Sequence, residues 1–217
     1  MTRPLEAELR AGLDALLLAL DDAQVAALLD YIALIQKWTK VYNLTAVREP
    51  RDMLTHHLLD SLAVVKPLRR QLAAMGLRSG ARLLDVGSGA GLPGVVLAIC
   101  LPEITVRCVD TVAKKAAFVQ QVAVSLKLVN LRGVQARVES LTETYDVVCS
   151  RAFASLADFT RWSAAALAPA GVWMAMKAKD PSSEVTALAT DVAVFHVEPL
   201  QVPGLEAERC LVWMGWV

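Results

Sequence analysis

The residues best suited to chemistry stand in one run, Asp85-Val86-Gly87-Ser88-Gly89-Ala90-Gly91-Leu92-Pro93-Gly94. Leu83, Leu84 and Val86 give an apolar strand leading into it. Val95, Val96, Leu97, Ile99 and Leu101 give a helix leading out, stopped by Pro102. Glycines at 87, 89 and 91 allow backbone angles and close approaches that a Cβ would block. Pro93 suits the first turn of a helix, where its missing N–H costs nothing. A strand, a glycine turn and a helix N-terminus make a ligand cradle at the carboxyl end of a parallel strand. Two ligand classes compete for it. Residues 89–94 match G-x-G-x-x-G, which cradles a dinucleotide pyrophosphate. Asp85, however, repels a pyrophosphate and suits a ligand that carries an ammonium and a sulfonium. Three glycines beside a strand-end acid argue against a bare turn.

Asp110 closes a second apolar strand, Ile104-Thr105-Val106-Arg107-Cys108-Val109, roughly 20 residues after the cradle. An acid there accepts ribose hydroxyls in both ligand classes, so it does not separate them. Alternatively it caps the helix expected from Ala113. Gln135-Ala136-Arg137-Val138-Glu139 follows a third strand. A loop there lies beside an adenine, with backbone groups of Val138 and Glu139 at its edge and the Val138 side chain on its face. Ser150-Arg151-Ala152-Phe153-Ala154 follows a fourth strand, across the switch point from the first. Arg151, a charge directly after a buried strand, must find a partner or a ligand. Lys177 ends a fifth strand in a similar place. Either is alternatively a surface residue that snorkels.

These residues need a scaffold, and the pattern around them supplies one. From Arg82 onward strands and helices alternate, with strands expected near 130–135, 145–150 and 171–177. The helix from Ala113 to Leu128 should bury Ala117, Val119, Val122 and Leu126. Residues 192–197 and 210–216 read as a closing antiparallel pair. This predicts an α/β fold, a mostly parallel seven-stranded sheet with helices on both faces. Residues 1–80 read instead as an N-terminal helical cap. One helix spans residues 4–20, and a second follows Asp21 and Asp22 with Val25, Leu28, Leu29, Ile32, Ile35 and Trp38 on one stripe. Two more open at Pro50 and Pro67. The division is thus a cap over 1–80 and a ligand-binding core over 81–217.

Bulk composition excludes several classes. Hydrophobic residues make up 55% and charged residues 20% of the 217, so the chain is globular rather than disordered. The formal net charge is zero, which gives no global basic field for nucleic acid. Charge is uneven, though. Between Gln36 and Gly80 eight Lys or Arg face three acids, enough for a local phosphate-binding face or simply a solvated helical surface. Arg48 and Arg51 belong to that stretch. The first residues lack a signal-peptide apolar core, and no apolar run reaches the about 18 residues of a membrane span. Cys100, Cys108, Cys149 and Cys210 lack C-x-x-C spacing and read as buried free thiols in a reducing cytoplasm. His56 and His57 face different sides of a helix and His196 stands alone, so no metal set is expected. The fourth strand is followed by neither Asn-Pro-Pro-Tyr nor Asp-Pro-Pro-Tyr, a grip on exocyclic amines. Cys149 lacks the Pro-Cys context of a pyrimidine-attacking thiolate.

The cradle with its leading acid resembles motif I of the class I S-adenosylmethionine-dependent methyltransferases. Further stretches occur in order: Asn43-Leu44-Thr45-Ala46-Val47, His57-Leu58-Leu59-Asp60-Ser61-Leu62, Arg137-Val138-Glu139 and Ser150-Arg151-Ala152-Phe153-Ala154-Ser155-Leu156. Together they are similar, from about Leu28 to Trp216, to the bacterial small-subunit rRNA guanine-N7 methyltransferases, the RsmG or GidB family. The resemblance implies a Rossmann-like core and S-adenosyl-L-methionine as cofactor. It implies methyl transfer to N7 of one guanine in 16S rRNA, free or in the small ribosomal subunit. A cytoplasmic monomer without metal or membrane attachment is expected.

Carried over by motif, the cofactor contacts are Gly87, Leu92, Val138, Glu139 and Arg151, joined by Asp85, Gly89 and Asp110. Many members have Phe where Leu92 stands, so that apolar contact is smaller here. The family offers no agreed base, and none is needed, because guanine N7 carries an in-plane lone pair and no proton. Arg151 then serves placement, holding cofactor carboxylate or RNA phosphate. Arg48, Arg51 and Lys177 are the candidate RNA contacts. Three alternatives share parts of the pattern. They are a class I methyltransferase acting on another RNA, a protein or a small molecule; a nicotinamide oxidoreductase; and a ribosome-associated binding protein without turnover.

Overall fold

The computed structural model describes residues 2–217, with side chains from Pro4 onward. Strand β1 (Arg82–Val86) is buried at every position but its first, because it runs through the middle of a sheet covered on both faces. The other strands are β2 (Thr105–Asp110), β3 (Leu131–Gln135), β4 (Tyr145–Arg151), β5 (Leu167–Lys177), β6 (Val192–Pro199) and β7 (Cys210–Trp216). Their order is β3-β2-β1-β4-β5-β7-β6, one seven-stranded sheet. β1 to β5 run parallel, and β7 inserts antiparallel between β5 and β6. The order reverses between β1 and β4, so the loops that follow those two strands diverge and leave a crevice.

Two strand limits differ from the sequence pattern. Arg151 is the last residue of β4, in register with Met176, rather than the first residue beyond it. The pleat of an established strand carries it into the crevice. β5 starts at Leu167, earlier than the apolar run, because Tyr145 pairs there before a register shift.

The cap begins with α1 (Thr2–Ala15), which stops short of the leucine spacing at a turn where Leu17 adopts a left-handed backbone. α2 (Asp22–Tyr42) starts with a capping box in which Asp21 and Gln24 satisfy each other's backbone N–H groups. It ends at Asn43 in the left-handed conformation. α3 (Pro50–Met53), a π-helical stretch (Leu54–Leu59) and α4 (Asp60–Leu62) form one continuous rod. The π stretch widens the turn, and His57, Leu58, Leu59 and Asp60 are buried in succession. α5 (Val65–Ala74) opens two residues before Pro67, which falls in its first turn, where no N–H is needed.

α6 (Gly94–Cys100) follows the glycine loop and is buried throughout. α7 (Ala113–Ser125) buries Ala116, Phe118, Val119, Val122 and Ala123. Val119 and Val122 are buried as expected and Leu126 packs partly buried against the core, while Ala117 is exposed and its neighbours Ala116 and Phe118 face inward instead. α8 (Leu156–Ser163) and the short α9 (Ser182–Val185) complete the core.

Alternate residues of β1 face opposite sides, as a pleat requires. Leu84 and Val86 join a cluster with Phe159, Trp173 and Val212. Leu83 joins the larger cluster, which runs unbroken from Leu9 and Tyr31 in the cap through Val95, Cys108 and Phe118 to Trp213. Cap and sheet therefore share one core. Among the described residues no helix is long and apolar enough to cross a membrane.

Candidate active site

The loop after β1 is built by its glycines and held from two sides. Gly87 has φ +65°, and a Cβ on it would strike the Phe153 ring. Gly89 has φ +58°, and a Cβ there would project into open space. The N–H of Gly89 donates to Asp110 Oδ2 at 3.1 Å, while Asp110 Oδ1 accepts the Val112 N–H at 2.9 Å. Asp110 thus ties the loop to the start of α7, with Lys115 Nζ 3.6 Å from the same carboxylate. Asp110 lines a cavity, but it is not the helix cap expected of it: Val112 is the N-cap of α7 and has no side-chain cap hydrogen bond. From below, the Tyr31 hydroxyl donates to the Ala90 carbonyl at 2.6 Å.

Asp85 is corrected by the structure. It shares the Leu83 side of β1, is fully buried and lines neither cavity described below. Its Oδ2 accepts the Gly94 N–H at 2.9 Å, beneath the loop, and its Oδ1 has no partner among the described residues. Burial pushes the carboxyl up to about 7, against the pull of the Gly94 N–H and Arg151. It braces the loop instead of facing a ligand.

Two cavities flank the loop and meet at Gly87 and Ala152. One, of about 520 Å³, is lined by Asp110, Val138, Glu139, Phe153 and Trp162. The other, of about 660 Å³, is lined by Gly89, Leu92, Arg151 and Lys177, with His57 and Asp60 from the cap and Glu184 and Arg209 from the core. Ala152 has φ +52°, a strained backbone for a residue with a Cβ, right at the junction. Eight of the expected residues, Gly87, Gly89, Leu92, Asp110, Val138, Glu139, Arg151 and Lys177, therefore converge on one crevice.

Arg151 donates from Nη1 to Asp60 Oδ2 and to the His56 carbonyl, both at 2.8 Å. Asp60 Oδ1 accepts Arg209 Nε at 2.9 Å. A buried carboxylate at the start of α4 thus lies between two arginines from β4 and the approach to β7. Lys177 Nζ donates to the Ala154 carbonyl at 3.0 Å and to Glu184 Oε2 at 2.8 Å. His57 Nε2 lies 2.9 Å from Thr45 Oγ1, and burial and Arg151 lower its pKa, favouring the neutral ring. Ser88 and His57 line the larger cavity, and their Oγ and Nδ1 atoms are buried with no partner among the described residues.

Asp60, Arg209 and Glu184 were missed as site residues. Asp60 carried a signal, since an acid inside Leu58-Leu59-Asp60-Ser61-Leu62 must be buried and therefore paired. Arg209 and Glu184 sit in polar surroundings and carried none.

Arg48 and Arg51 lie outside both cavities. Arg48 donates to the Thr39 carbonyl and to Asn43 Oδ1, closing the end of α2, and Arg51 pairs with Glu8 at 2.7 Å. Cys149 is buried, and its thiol is pushed up by burial and by Asp85, away from a reactive thiolate. Cys210 is only partly buried. Among the described residues no cluster of three or more His, Cys, Asp and Glu can hold a metal.

Solved structures share this architecture. Magnesium protoporphyrin IX methyltransferase from Synechocystis, with bound SAM, aligns over 91% of this chain and 98% of its own at TM-score 0.57 and 15% identity. TrmN from Thermus thermophilus aligns over 76% of this chain and 53% of its own at TM-score 0.56 and 18% identity. At such identities the likeness speaks for the fold alone. Sequence relatives are much nearer. Ribosomal RNA small subunit methyltransferase G of Albidiferax ferrireducens is 71% identical, covering 98% of this chain and 97% of its own length. Its namesake in Polaromonas sp. strain JS666 is 69% identical, covering 96% and 92%. The model of the GidB family, rRNA small subunit methyltransferase G, matches residues 24–212. With this glycine loop, this strand order and these relatives, the chain belongs to the rRNA small subunit methyltransferase G family.

Proposed function

We propose that the protein transfers the methyl group of S-adenosylmethionine to N7 of a guanine in 16S rRNA. The observation that carries this reading is the pair of cavities joined at Gly87 and Ala152. One end is fitted to a nucleoside and the other to an amino acid beside open space for a base. S-adenosylmethionine supplies a methyl group made electrophilic by its sulfonium.

The residues present fit that cofactor. Asp110 keeps lone pairs for ribose hydroxyls after serving two backbone N–H groups. Val138 offers an apolar face for adenine, and Glu139 a backbone edge. At the other end the open face of Gly89, the Leu92 side chain and the unpartnered Ser88 hydroxyl would meet the methionine part. Arg151 has guanidinium N–H groups beyond those bonded to Asp60 and His56, available to a carboxylate or a phosphate.

Nothing in the crevice needs to remove a proton. Guanine N7 presents a lone pair, so the chain's task is in-line placement of the purine. The raised thiol of Cys149 is of no use to a nucleophilic attack, and N7 chemistry asks for none. Lys177, Arg48 and Arg51 support RNA binding, with residues 1–80 as the RNA-facing cap. A monomer acting in the cytoplasm, on free 16S rRNA or the small subunit, completes the reading.

The test uses tritiated S-adenosylmethionine with unmethylated small subunits and, in parallel, deproteinised 16S rRNA. After nucleoside digestion the label is expected in 7-methylguanosine. Label in an N2-methylated or pyrimidine nucleoside, or in ribosomal protein, would sink the reading.

A further inference from the structure

We propose that Lys177 and Glu184 together read the O6 and N1–H edge of the target base, and so select guanine over adenine. This rests on the guanine-N7 reading above.

The larger cavity is lined by three carboxylates. Asp60 spends one oxygen on Arg151 and the other on Arg209. Asp180 turns both oxygens back onto Ser182. Glu184 differs. Its Oε2 accepts both the Lys177 ammonium at 2.8 Å and the Leu156 N–H at 2.7 Å, while Oε1 has no partner among the described residues. Lys177 likewise keeps one group in reserve. Two of its three N–H bonds go to Ala154 O and Glu184 Oε2, and the third is uncommitted. Both side chains keep some exposure, 17% for Lys177 and 34% for Glu184, so a base can reach them.

The pair therefore offers one donor and one acceptor side by side, held rigid by two backbone groups. Guanine presents an acceptor, O6, beside a donor, N1–H. Adenine presents the reverse, an amino donor beside the N1 acceptor. The pair satisfies the first pattern and opposes the second with two like-on-like contacts, which penalises adenine more than it rewards guanine. The groups read, O6 and N1–H, are distinct from the N7 lone pair, so recognition and methyl acceptance do not compete for the same atom.

The test is a cycle of base against side chain in single-turnover methyl transfer. RNA carrying guanosine at the target is compared with RNA carrying 2-aminopurine riboside there. That analogue keeps N7 and the 2-amino group but lacks O6 and N1–H. The wild-type enzyme should favour guanosine by about 10- to 100-fold. Glu184→Gln puts an amide donor where the carboxylate accepted, and should bring that preference down to about threefold or less, or reverse it. Undiminished affinity for S-adenosylhomocysteine shows that the variant is folded; should it not be, Lys177→Met carries the same test from the donor side.

A folded variant that keeps the wild-type preference overturns the proposal, as does a wild-type enzyme indifferent to the analogue. Absence of 7-methylguanosine from wild type with natural RNA is a separate failure, that of the underlying function, and the proposal falls with it.

Discussion

Arg151 and Asp60 stand 91 residues apart in sequence and 2.8 Å apart in space, joining the end of β4 to the start of α4 in the cap. The cap therefore aims the arginine that the core supplies. Asp60→Asn should leave Arg151 and Arg209 without their shared anion and free to turn away. Turnover on rRNA is expected to fall by about 10- to 100-fold, since placement carries the reaction. Both arginine side chains are about one-fifth exposed, so water tempers the loss of stability to about 1–3 kcal/mol. Denaturant melts with single-turnover rates check this; unchanged turnover in a folded variant would remove Asp60 from the positioning of Arg151.

Asp110→Ala should weaken S-adenosylmethionine binding by about 1–3 kcal/mol. Part of that would be the proposed ribose contact and part the loss of the Gly89 anchor. Asp110→Asn keeps an acceptor for one of the two backbone groups and should fall between. Calorimetry resolves the series, and an alanine variant with wild-type affinity would exclude Asp110 from the cofactor site.

Asp85 makes a pH prediction of definite sign. Its carboxyl lies near 3.8 ordinarily and is raised to about 7 by burial. Below about pH 4 the folded and unfolded chains both hold the proton, and burial costs nothing. As pH rises from about 4 to 7 the unfolded chain ionises while the folded chain resists, so stability is lost across that window. Asp85→Asn has no proton to lose. Its stability relative to wild type should grow by about 2–4 kcal/mol between pH 4 and pH 8. A flat difference across that range would show that Asp85 is ionised in the fold.

Arg48 and Arg51 should separate. Arg48 closes the end of α2, so Arg48→Ala is expected to cost about 1 kcal/mol of stability. Arg51 is largely exposed against Glu8, a pair worth roughly 0–1 kcal/mol. Arg51→Glu therefore tests RNA contact with little disturbance of the fold. If the cap binds RNA there, the apparent KM for rRNA rises and its salt dependence flattens, while S-adenosylhomocysteine affinity stays put. An unaltered salt slope would leave Arg51 as a surface ion pair.

The elements were legible where apolar spacing is strong. The Leu83-Leu84-Asp85-Val86 run, the alternation after it and the antiparallel closing pair all correspond to observed strands. The division of labour among acids was not. Asp85 and Asp110 both look like ligand contacts in one dimension; only the pleat shows that Asp85 points with Leu83 into the core while Asp110 ends its strand in the open crevice. The local role of Arg48 was not legible, because its partners, Thr39 O and Asn43, become neighbours only when α2 terminates. The π stretch left no mark on periodicity, since it shifts the phase by less than one turn, yet it buries His57 and Asp60 in succession. Glu184 gained its place only through β5, which brings Lys177 to it.

The hydrogen bond from Tyr31 to Ala90 has an evolutionary corollary. The glycine loop rests on a residue of the second helix, as α6 does through Gln24 on the Ile99 carbonyl. A cap joined to its core in this way cannot be traded as a cassette. A chimera that grafted a foreign cap onto residues 81–217 would forfeit those two struts, and its cofactor loop would slacken before any RNA was met. New substrates must instead be reached by drift at the exposed rim, residue by residue, with the tyrosine kept.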